Sequence, residues 1–158
     1  MGDEPIDAGR RTGRLELEPV TGDLPAGFEM LRAEALAEGF RQVERLAADW
    51  ASRTTRFDRE GEVLLAARSN GVLAGIGGLT IDPVVPGALR MRRFYVRPRF
   101  RRCGVGRQRA TALLEQRGQT GRLVTVNAAA ASMQFWEALG FEPDMREGHT
   151  HVLNPERR

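Results

Sequence analysis

The stretch "FYVRPRFRRCGVGRQ", residues 94–108, sets five arginines, a proline and two glycines behind an apolar strand ending. Charge alone leaves three uses open: a solvated turn, a nucleic-acid patch or an anion cradle. The neighbouring pattern favours the third. A strand-like run ends at Val96, and a helical pattern begins near Gly104 or Val105. The first turn of a helix leaves backbone N–H groups without partners and carries the positive end of the helix dipole, so it attracts anions. Gly104 and Gly106 have no Cβ to keep a bulky anion off those amides. Cys103 contributes its own amide. Arg101, Arg102 and Arg107 add guanidinium groups, which stay charged and match phosphate oxygens. The spacing therefore predicts a phosphate or pyrophosphate over this helix start. It is not a Walker A loop, which needs a lysine, and it is not the dinucleotide fingerprint, because Arg109 stands where the third glycine belongs.

Other residues able to do chemistry are scattered. Asp82, Glu137, His149 and His151 are candidate general bases, with water relaying the proton as an equal alternative. His149 and His151 lie two apart on a predicted strand, so they share a face: either a site or a plain edge strand. A metal site needs a third ligand at suitable spacing, and none is evident, so no metal is expected. Arg92 and Arg93 adjoin on a strand and should point to opposite faces. Either one faces a substrate cleft and binds a carboxylate or phosphate there, or both cover the sheet with their stems. Arg109 falls one helical turn after Val105, where an apolar residue packs best. It either snorkels toward the anion or lies at a helix edge.

The elements that must position these groups follow from periodicity. "RLELEPV" alternates as a strand. Residues 23–53 read as helix, broken near Gly39. Two apolar runs flank Asn70-Gly71, the pair a type I′ hairpin turn requires. "ALRMRRFYV" is a fourth strand, ended by Pro98. A helix from Val105, a short strand "RLVTVN", a helix over "AAASMQFWEAL" and a final strand pair complete the chain. The order β-αα-β-β-β-α-β-α-β-β predicts an α+β fold with a mixed sheet.

Composition bounds the rest. The chain has 158 residues, enough for one core. Residues 1–13 are expected to be a flexible leader and 14–155 a single domain. All 24 basic residues are arginine, as in a GC-rich bacterial coding bias, and the formal net charge is only +3. That small excess, with 6% aromatics, argues against a nucleic-acid binder. No apolar run reaches membrane-spanning length. A lone cysteine forbids an internal disulfide, which fits a cytoplasmic address.

The run "YVRPRFRRCGVG" resembles the central motif of the GNAT superfamily of N-acetyltransferases, V-x-P-x-[YF]-R-x-x-G-x-G, with Val96, Pro98 and Phe100 at the expected offsets. "VTVNAAAASMQFWEALGFEP" resembles that family's second signature, through Asn127, Trp136, Gly140 and Phe141. The resemblance spans about residues 63–153. It implies a sheet of six to seven strands with about four helices, splayed between strands four and five. It implies acetyl-CoA as acyl donor: pyrophosphate on the amides of residues 102–107, pantetheine along Phe94, Tyr95 and Val96, and Asn127 positioning the pantetheine or leaving sulfur. A backbone N–H near Tyr95 or Val96 would polarise the thioester carbonyl, and an amine would attack directly. Trp136 stands where the family often has a tyrosine that protonates the thiolate. Either Trp136 only walls the slot and the thiolate leaves unaided or protonated by water, or Tyr95 or another hydroxyl supplies the proton. Homodimers are common in the family. A CoA-binding sensor of the same fold that has lost catalysis is the alternative reading.

Overall fold

A computed structural model of the chain describes residues 15–118, 121–146 and 148–154. The expected leader lies outside them. The elements are β1 (Leu15–Pro19), α1 (Phe28–Ala37), α2 (Gln42–Ser52), β2 (Val63–Ser69), β3 (Val72–Ile81), β4 (Leu89–Val96), α3 (Val105–Gly118), β5 (Val124–Val126), α4 (Met133–Ala138), β6 (Glu142–Arg146) and β7 (His149–Leu153), with 3₁₀ turns at Pro98–Phe100 and Ala130–Ser132. Asn70 and Gly71 both take positive φ, 52° and 85°, as the β2–β3 turn demands.

The seven strands form one sheet in the order β1-β2-β3-β4-β5-β7-β6. Only β4 and β5 run parallel, so a crossover must join them, and α3 is that crossover. Apolar stripes dock the helices on opposite faces. Phe28, Leu31 and Ala35 of α1, with Val43, Leu46 and Trp50 of α2, bury against Leu64, Ala66, Leu73, Ile76 and Tyr95. Ala110, Leu113 and Leu114 of α3, with Trp136 of α4, bury against Leu79, Leu89, Met91, Val124 and Leu153. Each fully buried large side chain contributes roughly 1.5–3 kcal/mol.

Two features of β4 shape the centre of the molecule. Its pairing with β5 covers only Leu89–Val124, Arg90–Thr125 and Met91–Val126. From Arg92 onward β4 keeps β3 alone, and the sheet splays open there. Just past that point β4 bulges: Arg93 and Phe94 together oppose Gly77 of β3, with Arg93 at φ 56°. A Cβ on Gly77 would stand 2.6 Å from the Phe94 ring, so the strand beneath must be glycine for the ring to lie down.

Candidate active site

The loop after β4 builds a cradle from backbone. Arg102 and Gly104 have positive φ, 66° and 82°, and Cys103 between them does not. Such alternation turns successive N–H groups toward one point. The first helical bond of α3 runs from Gln108 N–H to Gly104 O, 2.9 Å, which leaves the amides of Val105, Gly106 and Arg107 without an intrahelical acceptor. Space over Gly104 is open: the nearest atom to a notional Cβ is Gln108 Nε2 at 3.9 Å. A Cβ on Gly106 would meet Val96 and Phe135 at 3.4–3.5 Å, so the helix start packs close against them.

The arginines of this loop divide into two groups. Arg97 grips Glu34 of α1 at 2.9 and 3.0 Å and also donates to Leu73 O. Arg101 grips Glu38 at 2.7 and 2.9 Å and donates to Val96 O. These two staple α1 to the loop, so Arg101 is committed away from the cradle. Arg102 and Arg107 are exposed and have no hydrogen bond or ion pair among the described residues. They are the cations the cradle retains. Cys103 is exposed, its thiol turned to Arg101 O.

The open edge of β4 presents Phe94 and Val96. Phe94 O accepts from Gln42 Nε2 at 3.2 Å and Val96 O from Arg101 Nε at 2.9 Å, while Arg97 N–H pairs back to Ala74 O of β3. Backbone groups alternate along a strand, so those of Tyr95 face β3 rather than the gap. Tyr95 therefore does not offer the gap the backbone contact expected of it. Its phenol is also occupied: the hydroxyl donates to Glu38 Oε1 at 2.6 Å. Burial, and then the Glu38 carboxylate, push the phenol well above its usual range. Glu38 is held below the usual carboxylate range chiefly by Arg101, against burial, with Tyr95 assisting. A phenol so placed is a structural donor and a poor acid. Tyr95→Phe is expected to lose about 1–2 kcal/mol of stability while leaving the pH–rate profile of acetyl transfer unmoved; a lost alkaline limb in that profile would restore Tyr95 as the acid.

Beneath the gap, Trp136 is 3% exposed and meets Phe94, Phe135 and Phe141 at ring distances of 4.9–5.4 Å. It is a wall. Asn127 follows β5 at the gap and is exposed, with no hydrogen bond among the described residues. The proposed bases are occupied or enclosed. Asp82 accepts from Val84 and Val85 N–H and from Thr125, and pairs with Arg90. Burial would raise it, but those bonds and that charge together hold it lower than usual. Glu137 and His151 bond each other at 2.8 Å. His149 is buried, its Nε2 3.5 Å from Asp144. Neither histidine lines the cleft described next.

On the α1–α2 face, beside the splay, lies a cleft of about 460 Å³ floored by Thr80 and Arg92 and walled by residues 53–56, Asp58, Arg59 and Glu62. Arg92 and Arg93 do not diverge as neighbours on a regular strand would. The bulge sends Arg93 to Asp49 of α2, 2.9 Å away, on the same face as Arg92. Sequence reasoning missed Gln42, Glu34, Glu38 and Asp49, because nothing local to the first helices marks which polar residues will reach β4. Asp58, an exposed lining carboxylate with no partner among the described residues, was missed as well.

Among the described residues no group of three or more His, Cys, Asp or Glu is placed to hold a metal ion, and no helix is long and apolar enough to cross a membrane. A search of curated proteins found no match. The fold is shared with many solved structures. A protein of Exiguobacterium sp. 255-15 described as an acetyltransferase superposes with a TM-score of 0.83 at 24% identity, over 90% of this chain and 95% of that one. The acetyltransferase-like yncA of Salmonella typhimurium, solved with its cofactor acetyl-CoA, gives 0.64 at 14% identity, over 91% and 95%. YhbS from Escherichia coli, a GNAT family N-acetyltransferase in complex with CoA, gives 0.64 at 16%, over 90% and 82%. The family model described as an acetyltransferase (GNAT) domain matches residues 27–153. With a splayed β4–β5 pair, an amide cradle at the following helix and that match across most of its length, the chain belongs to the GNAT family of acetyl-CoA-dependent N-acetyltransferases.

Proposed function

We propose that this chain moves the acetyl group of acetyl-CoA directly to a primary amine held in the cleft beside Arg92, the amine being that of a small molecule or a protein terminus. One observation carries the reading: the open edge of β4 leads straight into the amide cradle of α3, so one extended ligand can follow both. The residues fit such a ligand. The amides of residues 103–107, with Arg102 and Arg107, hold the pyrophosphate, which only a concave, positive and unobstructed site can do. Phe94 and Val96 offer main-chain groups to the pantetheine amides, giving affinity without side-chain demands. Val96 N–H is the gap-facing donor for the thioester oxygen. Asn127 lies where it reaches the sulfur end, and Trp136 backs Phe94. No acid is assigned to the leaving thiolate. A thiol pKa of roughly 8–9 makes unaided departure tolerable near neutral pH. Asp58 is the partner-free carboxylate the cleft offers to the amine proton, directly or through water.

The test follows thiol release from acetyl-CoA with a panel of amines. Release that needs both acetyl-CoA and an amine supports the reading. Saturating acetyl-CoA at about 100 times its Kd should add about 2.7 kcal/mol, raising the melting temperature by roughly 5–10 °C. A rise without turnover on any amine would make the chain a CoA-binding module instead. No rise at all would overturn both.

A further inference from the structure

Strand β4 carries three arginines in four residues, Arg90, Arg92 and Arg93, and two carboxylates reach them. Asp82 is spent on Arg90, at 3.3 and 3.4 Å, on Thr125 and on two backbone amides. Asp49 is spent on Arg93. Arg92, between them, is half-buried and has no hydrogen bond and no ion pair among the described residues. Burial first, then the charges of Arg93 and Arg90, push its guanidinium below the usual arginine range, opposed by the two aspartates. A half-buried cation without a counter-ion is costly unless something supplies one.

A second, independent observation lies on the same floor. Thr80 is 4% exposed and its Oγ1 has no partner, although it lines the cleft. It stands opposite Arg90 in the β3–β4 register, two residues along from the partner of Arg92, so the Thr80 and Arg92 side chains lie diagonally adjacent. The rim repeats the sign of the floor. Arg53, Arg56 and Arg59 line it, and Glu62 is occupied by the amides of Ile81 and Arg59. Asp58 is the one exposed carboxylate on the wall, so four lining arginines face two carboxylates: the cleft is positive on balance, with a free guanidinium at its base and the unpartnered Thr80 hydroxyl buried just beneath.

We propose that this cleft is an anion subsite for the acceptor: the amine that is acetylated carries a carboxylate or phosphate, anchored by Arg92 above the buried Thr80 hydroxyl. The inference rests on the acetyltransferase reading for the word acceptor, while the anion site itself stands on the geometry. Arg92 lies only two residues before Phe94 on β4, across the bulge, so anion and amine belong to one compact molecule, a few bonds apart. Polyamines and arginine- or lysine-rich peptide tails are disfavoured by the same arginines.

Two measurements test it. The first compares kcat/KM for matched amines: α-amino acids against their amides, and amino-sugar phosphates against the free amino sugars. In at least one pair the anionic member should lead by about 10–100-fold, and the pair that responds tells carboxylate from phosphate. Arg92→Met should erase that lead with the KM for acetyl-CoA unchanged, and Arg92→Lys should restore part of it. Equal use of both members in every pair, or a lead that survives Arg92→Met, overturns the proposal. The second needs no turnover. Inorganic phosphate and acetate are titrated into the wild-type protein while the amide signals of Thr80 and Arg92 are followed by NMR. Saturable shifts there, lost in Arg92→Met, support the subsite even if no amine is acetylated, in which case the transferase reading alone fails. Shifts confined to the α3 cradle would sink the subsite and spare that reading.

Discussion

Gly104→Asp is expected to abolish measurable binding of acetyl-CoA, and Gly104→Asn to weaken it far less. Both replacements enter a backbone at φ 82°, which asparagine and aspartate tolerate better than other side chains. Both meet open space, since nothing closer than Gln108 Nε2 lies near the new Cβ. The pair therefore shares strain and volume and differs by one charge. Against a phosphate held on the surrounding amides, a carboxylate at about 4 Å costs on the order of 4 kcal/mol at a surface-like dielectric, near a thousandfold in affinity. Calorimetric titration reads the affinities, and melting temperatures, expected within a few degrees of each other, show that the fold is shared. Equal affinity in the two variants would mean that no anion sits over Gly104.

Arg109→Met is expected to stabilise the protein by about 1–4 kcal/mol, raising the melting temperature by roughly 3 °C for each kcal/mol. Arg109 is completely buried in the first turns of α3. Its Nε and Nη1 have no partner, Nη2 reaches Tyr95 O at 3.3 Å, and the guanidinium lies 4.0 Å over the Phe94 ring. One long hydrogen bond and a cation–π contact of about 2 kcal/mol do not offset desolvating a whole charge, which costs several kcal/mol. Methionine keeps most of the volume and none of the charge. The pH dependence has a definite sign. Burial lowers the Arg109 guanidinium to about 9, whereas the unfolded chain keeps its proton well above that. Stability then rises with pH wherever the unfolded state holds more protons. The wild-type penalty is complete below about pH 9 and is relieved above it, so the advantage of Arg109→Met should narrow as pH climbs through 9. A lower melting temperature for the variant at neutral pH would show that the charge has a partner this account lacks.

The cradle was legible in the sequence because its physics is local: a strand end, two glycines and a helix start, all within residues 94–108. The hairpin at Asn70-Gly71 was legible for the same reason. The fates of the arginines were not. Arg97, Arg101 and Arg93 find Glu34, Glu38 and Asp49 more than forty residues away, on helices whose docking is set by an apolar stripe and not by charge. What reads as one basic cluster is a set of staples plus a few free cations. Arg93 was misplaced by the bulge at Gly77, which shifts the parity of β4 and has no signature in the strand itself, and Tyr95 by its pairing with Ile76, which turns its backbone to β3. Arg109 was visible as a charged residue on an apolar stripe. Whether it escapes or stays buried depends on Gly75 across the sheet, where a Cβ would collide with Arg109 Nη1. The cleft beside Arg92 was least legible, since its floor and walls come from β3, β4 and the loop after α2, and only the fold brings them together.

The most direct test of the account is an amide-resolved NMR titration of the wild-type protein with acetyl-CoA. The account predicts that the largest saturable shifts fall on residues 103–107 and on Phe94 and Val96, with Tyr95 moving less because its amide faces β3. Shifts centred elsewhere, or a cradle that moves while the β4 edge stays still, would contradict it.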